Sequence, residues 1–376
     1  MRIAYDITQT GKDKAGCGYF AYSLIRALAE IDRQNEYLLL NSFGEFVWDV
    51  QASPASCGIH HANFRLGPQY AAPQRFWHSP PQELDSALGN PDIVHSNNFF
   101  CPTGLHRARL IYTVYDLSFI DHPEWTTEAN RTLCFEGIYH ASLYADTILA
   151  ISEYSRTHFL RMFPHYSPEN VHVVYPASRY TYSADLRRPK KLPRQIVEGA
   201  FWLCVGTLEP RKNHLGLLQA YSLHKSRFGR VLPLVHAGGP GWLMHDFQDQ
   251  IRRLDLQQDV ILLGYVDDMT LQWLYQNCFA FVYPSHFEGF GLPVLEAMSL
   301  GAAVIASDTT SIPEIVADAG ILVNPADVEQ ISNAMNEFAE DEKRVATLRS
   351  AARERSSLFS WKQAAKRTLK LYENHS

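Results

Sequence analysis

The chain has 376 residues, more than one hydrophobic core comfortably serves, so two domains are expected. Apolar residues make up 46% and charged residues 20%, an ordinary globular composition. The formal net charge of −6 argues against a nucleic-acid partner, because such binding needs Lys and Arg to neutralise phosphates.

No apolar run approaches the ~18 residues that suggest a membrane span. The opening "MRIAYDI" lacks the apolar stretch and cleavage site of a secretory signal. The six cysteines (Cys17, Cys57, Cys101, Cys134, Cys204 and Cys278) are scattered without a CxxC pair, which favours a reducing cytoplasm and no structural zinc.

Short apolar runs alternate with helical stretches from end to end. In the first half, strands are predicted at "IAYDI" from Ile3, "YLLLN" from Tyr37, "DIVHS" from Asp92, "LIYTVYD" from Leu110, "TILAIS" from Thr147 and "VHVVYP" from Val171. In the second half they are predicted at "FWLCVG" from Phe201, "LPLVHAGG" from Leu232, "VILLGYV" from Val260, "FAFVYPS" from Phe279, "AAVIASD" from Ala302 and "GILVNP" from Gly320. Continuous apolar runs between helices imply parallel strands buried on both faces, hence two α/β sandwiches. The Pro-rich, basic "ADLRRPKKLPRQ" from Ala184 reads as a linker. The expected layout is a first domain over 1–183, a linker over 184–198, a second domain over 199–357 and a closing helix over 358–376, in which Ser360 and Gln363 have capping-box spacing.

In open parallel sheets, ligands bind beyond the carboxyl ends of the strands. There "HFEGFGLPVLEAM" places Glu288 and Glu296 eight positions apart, with Gly289, Phe290, Gly291 and Leu292 between them and Pro293 in the first turn of a helix. Glycines and a helix N-terminus suit an anion such as a phosphate, and each carboxylate can accept from a diol. A nucleotide-sugar has this layout. For an isolated pair of acids, a capped helix with exposed carboxylates would be the simpler reading.

After the strand from Phe201, "VGTLEPRKNH" sets Arg211 beside Lys212, cations that can compensate a diphosphate, although two solvated charges are a serious rival reading. "GCGYFA", Gly16 to Ala21, is read as a glycine loop ahead of an amphipathic helix and formally fits a dinucleotide fingerprint. The gap from the first strand is too long for that motif, and Asn41 ends the second strand where a ribose-binding acid should stand. A loop facing a ligand and a simple turn remain equal alternatives. Tyr115 and Asp116 end the strand from Leu110, where a polar pair would face the cleft between domains, and both are candidate catalytic residues; for Asp116 alone, capping of the next turn is the preferred reading.

The stretches "EGFGLPVLEAMSLGAAVIASDTTSIPEIVADAGILVNPAD", "VGTLEPRKN", "YDLSFIDHPEW" and "AISEYSR" together resemble the retaining glycosyltransferases of family 4, with the GT-B fold, over nearly the whole chain. The texture is that of bacterial mannosyltransferase-like enzymes of surface polysaccharides. The resemblance implies two Rossmann-like domains facing a cleft, the first binding an acceptor and the second a nucleotide-sugar donor. It implies that Glu288 holds hydroxyls of the donor sugar, Glu296 the ribose, and Arg211 and Lys212 the diphosphate. Residues 289–292 would offer backbone contacts, and Gly16 and Gly18 would lie near the phosphates. No metal or other cofactor is implied; the donor is a co-substrate. Many relatives carry His-Asp where this chain has Tyr115-Asp116, which puts the part played by Tyr115 in question.

The resulting expectation is a cytoplasmic hexosyltransferase that uses a nucleotide-diphosphate sugar, for example GDP-mannose, and extends a glycan or lipid-linked oligosaccharide, with peripheral contact at the inner membrane face left open. The rivals are a nucleotide-sugar-binding protein with impaired catalysis and a hydrolase built on the paired carboxylates.

Overall fold

The computed structural model describes the chain apart from residues 12–13, 46–49, 98, 230, 242–245 and 374–376. It divides into two compact units, Met1–Pro176 with Ser360–Ser376, and Ala177–Phe359. Among the described residues each unit contains one fully parallel sheet with helices packed on it.

In the first unit the strands are β1 (Arg2–Asp6), β2 (Glu36–Leu40), β3 (Phe64–Leu66), β4 (Ile93–Ser96), β5 (Arg109–Val114), β6 (Thr147–Ala150) and β7 (Val171–Val173), in the order β3-β2-β1-β4-β5-β6-β7. In the second they are β8 (Trp202–Val205), β9 (Leu234–Ala237), β10 (Val260–Leu262), β11 (Ala280–Tyr283), β12 (Val304–Ser307) and β13 (Ile321–Val323), in the order β10-β9-β8-β11-β12-β13. Both are doubly wound. The chain reverses direction across the sheet between β1 and β4, and again between β8 and β11, which is where such sheets bind ligands.

The twelve apolar runs become the strands they predict. β3 has no such run: only Phe64 of its three residues is buried, and it joins the edge by pairing with β2 and stacking its ring on Tyr37 at 4.3 Å. The segment read as a linker is packed structure belonging to the second unit. Leu192 and Ile196 are buried, and the Arg188 guanidinium donates to the carbonyls of Leu192, Pro193 and Ile196. Its prolines and charges close a compact loop, and the chain passes between units at Pro176–Ala177 and Phe359–Ser360 instead.

The helix Trp361–Glu373 belongs to the first unit. The Ser360 hydroxyl accepts from the Gln363 amide at 3.2 Å, capping it as its spacing predicts. Ala364, Ala365, Thr368, Leu371 and Tyr372 form its buried face, and Trp361 meets Phe20 edge-on at 5.8 Å. Tyr372 anchors the far end. Its hydroxyl lies 2.6 Å from Nδ1 of His95, whose Nε2 lies 3.0 Å from the Thr113 hydroxyl, which in turn donates to Asn97 Oδ1. Because Thr113 spends its proton on Asn97, it accepts from His95 Nε2–H, so Nδ1 accepts from Tyr372. Burial holds His95 down at about 3, so the imidazole is neutral, as this chain of bonds requires.

Replacing Tyr372 by Phe strands His95 Nδ1 in a dry interior. Unfolding free energy of the first unit is expected to fall by about 1–3 kcal/mol, read from urea denaturation. An unchanged midpoint would mean that the hydroxyl does not anchor the helix.

Candidate active site

The site assembles where β8 and β11 part, from the loop after each. After β8, Pro210–Lys212 form one 3-10 turn, stopped by Asn213, which takes a left-handed conformation at φ 56°. The Asn213 side-chain amide donates to the carbonyls of Pro284 (2.9 Å) and Pro325 (2.7 Å), tying this turn to the loops after β11 and β13. The helix His214–Phe228 follows at once. After β11 the chain runs through Ser285–Phe290 to Gly291, the N-cap of the helix Leu292–Ser299. Gly291 has φ 104°, and a Cβ there would fall 2.4 Å from Ile312 Cδ1, so only glycine serves. Ser311 clamps the turn by donating to the carbonyls of Glu288 (2.9 Å) and Phe290 (2.8 Å).

These two loops bring Glu288, Arg211 and Lys212 together. Glu288 Oε1 accepts from Lys212 Nζ at 2.7 Å and from the Tyr283 hydroxyl at 2.8 Å, while Oε2 accepts from Arg211 at 3.2 Å. Arg211 also donates to the Phe287 carbonyl (3.0 Å) and to Glu209 (2.7 Å). Both cations therefore point into the site, although they stand at the start of a helix, where a positive charge is mildly unfavourable. Burial would push the Glu288 carboxyl up, but Lys212, Arg211 and the bonds from Lys212 and Tyr283 hold it down at about 2. It is held as an anion by its partners, which makes it a poor proton shuttle.

Glu296 has the same chemistry in a different setting. It is buried, and its Oε1 accepts from Arg179 Nε at 2.8 Å, while the same guanidinium reaches Asp268 at 3.2 Å. Burial pushes its pKa up, against the opposing pull of Arg179 and Tyr275. A ribose would have to share Glu296 with Arg179. Neither Arg179 nor Tyr283 nor Glu209 is visible as a site residue in the sequence. Glu209 does border the Arg211-Lys212 pair, and Tyr283 lies in the strand leading to Glu288.

The other candidates lie in the first unit. Gly16 opens the helix Gly16–Ile31, so "GCGYFA" is its first turn and not a loop ahead of it. A Cβ on Gly18 would fall 2.0 Å from the Gln9 carbonyl, so that glycine answers to packing within its own unit; one on Gly16 would meet nothing within 4 Å. Tyr115 donates to the carbonyls of Asn97 (2.8 Å) and Cys17 (3.3 Å), bracing the loop after β4 against that first turn. Asp116 accepts from the Ser118 amide (3.0 Å) and hydroxyl (2.7 Å), the turn-capping alternative. The acid also missed in sequence is Asp6, at the carboxyl end of β1, which accepts from Thr8 and from the Asn97 amide at 3.1 Å. Among the described residues, no cluster of His, Cys, Asp and Glu could hold a metal ion, and no helix is long and apolar enough to cross a membrane.

Residues 15–177 match the family described as Glycosyltransferase Family 4, and residues 191–355 match Glycosyl transferases group 1. The O-antigen chain mannosyltransferase B of Escherichia coli is 32% identical, over 99% of this chain and 100% of its own length. The chain belongs to glycosyltransferase family 4. Its fold is GT-B: the structure resembles that of HepE from Anabaena, solved in complex with UDP and glucose (TM-score 0.71, 19% identity, 100% of both chains covered). It also resembles a sucrose-phosphate synthase from Thermosynechococcus elongatus (TM-score 0.74, 21% identity, covering 99% of this chain and 98% of that one).

Two variants of condition test these electrostatics. Replacing Lys212 by Met removes the shorter of the two ion pairs to Glu288. Its pKa is expected to rise from about 2 towards the ordinary range, with a stability loss on the order of 3 kcal/mol; carboxyl-carbon NMR titration and urea denaturation read the two effects.

Acid is the second probe. Beside Lys212, His214 and His236 pack edge-on at 4.7 Å, and burial holds them down at about 3 and about 4. Below about pH 6.5 the unfolded chain binds protons that these folded rings refuse, so stability falls as pH drops, by about 1.4 kcal/mol per pH unit for each ring. In the first unit His95 acts in the same direction. Asp6, raised to about 7 by burial, opposes it, because folded Asp6 keeps a proton the unfolded chain releases above about pH 4. Between about pH 4 and 6.5 those two offset each other. Hydrogen exchange corrected for intrinsic rates is expected to show the second unit losing protection before the first between pH 7 and pH 5; equal losses would contradict the assignment.

Proposed function

We propose that the protein is a retaining, metal-independent hexosyltransferase that moves a sugar, with mannose from GDP-mannose as the leading case, onto a glycan or lipid-linked acceptor during polysaccharide assembly. The observation that carries this reading is the convergence of Arg211 and Lys212 on buried Glu288 at the switch point of the second sheet. Likeness to an Escherichia coli O-antigen mannosyltransferase supports the sugar and the polysaccharide setting.

In this reading the donor diphosphate lies against Arg211, Lys212 and the backbone of Gly289, Phe290, Gly291 and Leu292. The anomeric C–O bond to phosphate breaks as the acceptor hydroxyl attacks from the same face. A phosphate oxygen takes the hydroxyl proton, and the two cations stabilise the departing nucleoside diphosphate without a metal. Glu288 orients donor hydroxyls, and Glu296 accepts from the ribose once Arg179 shares it. Gly16 leaves room for an approaching ligand, whereas Tyr115 acts as a brace. The enzyme works in the cytoplasm, at the inner membrane face where its acceptor is lipid-linked.

A panel of nucleotide-sugars tests this by thermal shift, followed by transfer assays on mannosylated and lipid-linked acceptors. GDP-mannose is expected to raise the melting temperature most and to yield an α-linked product. Stabilisation without transfer to any acceptor would favour a binding protein that has lost catalysis; stabilisation by none of the donors would overturn the reading.

A further inference from the structure

Glu209 has no part in the roles assigned above, yet it is 4% exposed and lies within the same cluster. Its backbone is extended (φ −139°, ψ 151°) and precedes the turn Pro210–Lys212, but its side chain does not cap that turn. Oε1 instead accepts from Arg211 at 2.7 Å and lies 3.8 Å from Lys212 Nζ. The Arg211 guanidinium is thus bracketed, with Glu288 on one amino group and Glu209 on the other. Two carboxylates and two cations make a cluster of zero formal charge.

For a site that only had to bind a diphosphate, Glu209 is counterproductive. It carries the desolvation cost of a buried carboxylate, screens Arg211 and repels phosphate. A site that must also release a nucleoside diphosphate on every turnover has a use for it, because release often limits such enzymes.

We propose that Glu209 is a positioning residue that fixes the Arg211 guanidinium and keeps the cluster neutral, so that the nucleoside diphosphate product is not retained. This rests on the reading that the donor diphosphate lies against Arg211 and Lys212.

The test uses the full chain with GDP and UDP as probes, by calorimetry. Glu209→Gln keeps the acceptor oxygen for Arg211 and removes only the charge. Its affinity for the tighter of the two nucleotides is expected to rise about three- to tenfold, as for one charge removed beside a partly screened site. Product inhibition should strengthen, and kcat and donor KM should fall together because release limits both. Melting temperature should change little, because Arg211 keeps Glu288 and the side-chain oxygen at position 209 as partners.

Arg211→Gln and Lys212→Gln are the controls, and both should weaken binding. If they do and Glu209→Gln binds no tighter than the parent, the proposal fails while the diphosphate reading stands. If either control leaves binding unchanged, or the parent binds neither nucleotide, the reading fails and the proposal with it. Should Glu209→Gln not fold, the parent still decides. A neutral cluster requires nucleotide affinity to weaken less than about threefold between 25 and 250 mM KCl, and any larger loss would overturn the proposal.

Discussion

Charged groups can be withdrawn from water only if they neutralise one another, and the turn after β8 in the second unit is built around that constraint. Arg211 and Lys212 are mostly buried, Glu209 and Glu288 almost fully so, and each carboxylate lies within 3.2 Å of at least one cation. The pairing dictates the path of the loops. Glu288 must return to the turn at Pro210–Lys212, and Asn213 and Ser311 hold the two backbones in place while it does. Removal of Glu288 alone would leave Lys212 and Arg211 without the carboxylate they share, which is why such a cluster is costly to disrupt even though its net contribution to stability is small.

The same constraint separates the two acids of the E-x7-E motif. Glu288 meets two cations and a hydroxyl and stays ionised, whereas Glu296 meets one shared guanidinium and its pKa rises. A glycosidase pair needs one carboxylic acid to give a proton and one exposed carboxylate to attack or to activate water. Glu288 is buried and held ionised by Lys212, Tyr283 and Arg211, so it has no proton to give and is not an exposed nucleophile, while Oε2 keeps one acceptor site for a hydroxyl. The positional symmetry of the motif conceals an electrostatic asymmetry.

What could be read in the sequence divides along physical lines. Strands buried on both faces announce themselves as continuous apolar runs, so the two sheets were legible, and β3 was missed because a three-residue edge strand with one buried side chain carries no pattern. Charge and proline made residues 184–198 look like a solvated linker. Nothing local signals that Arg188 will find three carbonyls or that Ile196 will be covered. Likewise Glu288, Arg211 and Lys212 were legible from loop chemistry next to strand ends. Arg179 and Glu209 were not, because their significance lies only in which partner the fold brings to them, across 117 residues of chain for Arg179 and Glu296.

Both units share one topology, and a ligand-binding edge does not follow from topology alone. At the switch point between β1 and β4, Asp6 accepts from Thr8 and Asn97, and Asn97 takes the Thr113 proton in a chain that ends at Tyr372. Those partners are used up within the unit, and burial raises Asp6 to about 7, so this edge carries little fixed charge and Tyr115 serves as its brace. The equivalent edge between β8 and β11 instead gathers Glu209, Arg211 and Lys212 on one turn and brings Glu288 to them from the loop after β11. The difference between the two units thus traces to the side chains at two equivalent strand ends, one set hydrogen-bonded within its unit and the other a cluster of paired charges.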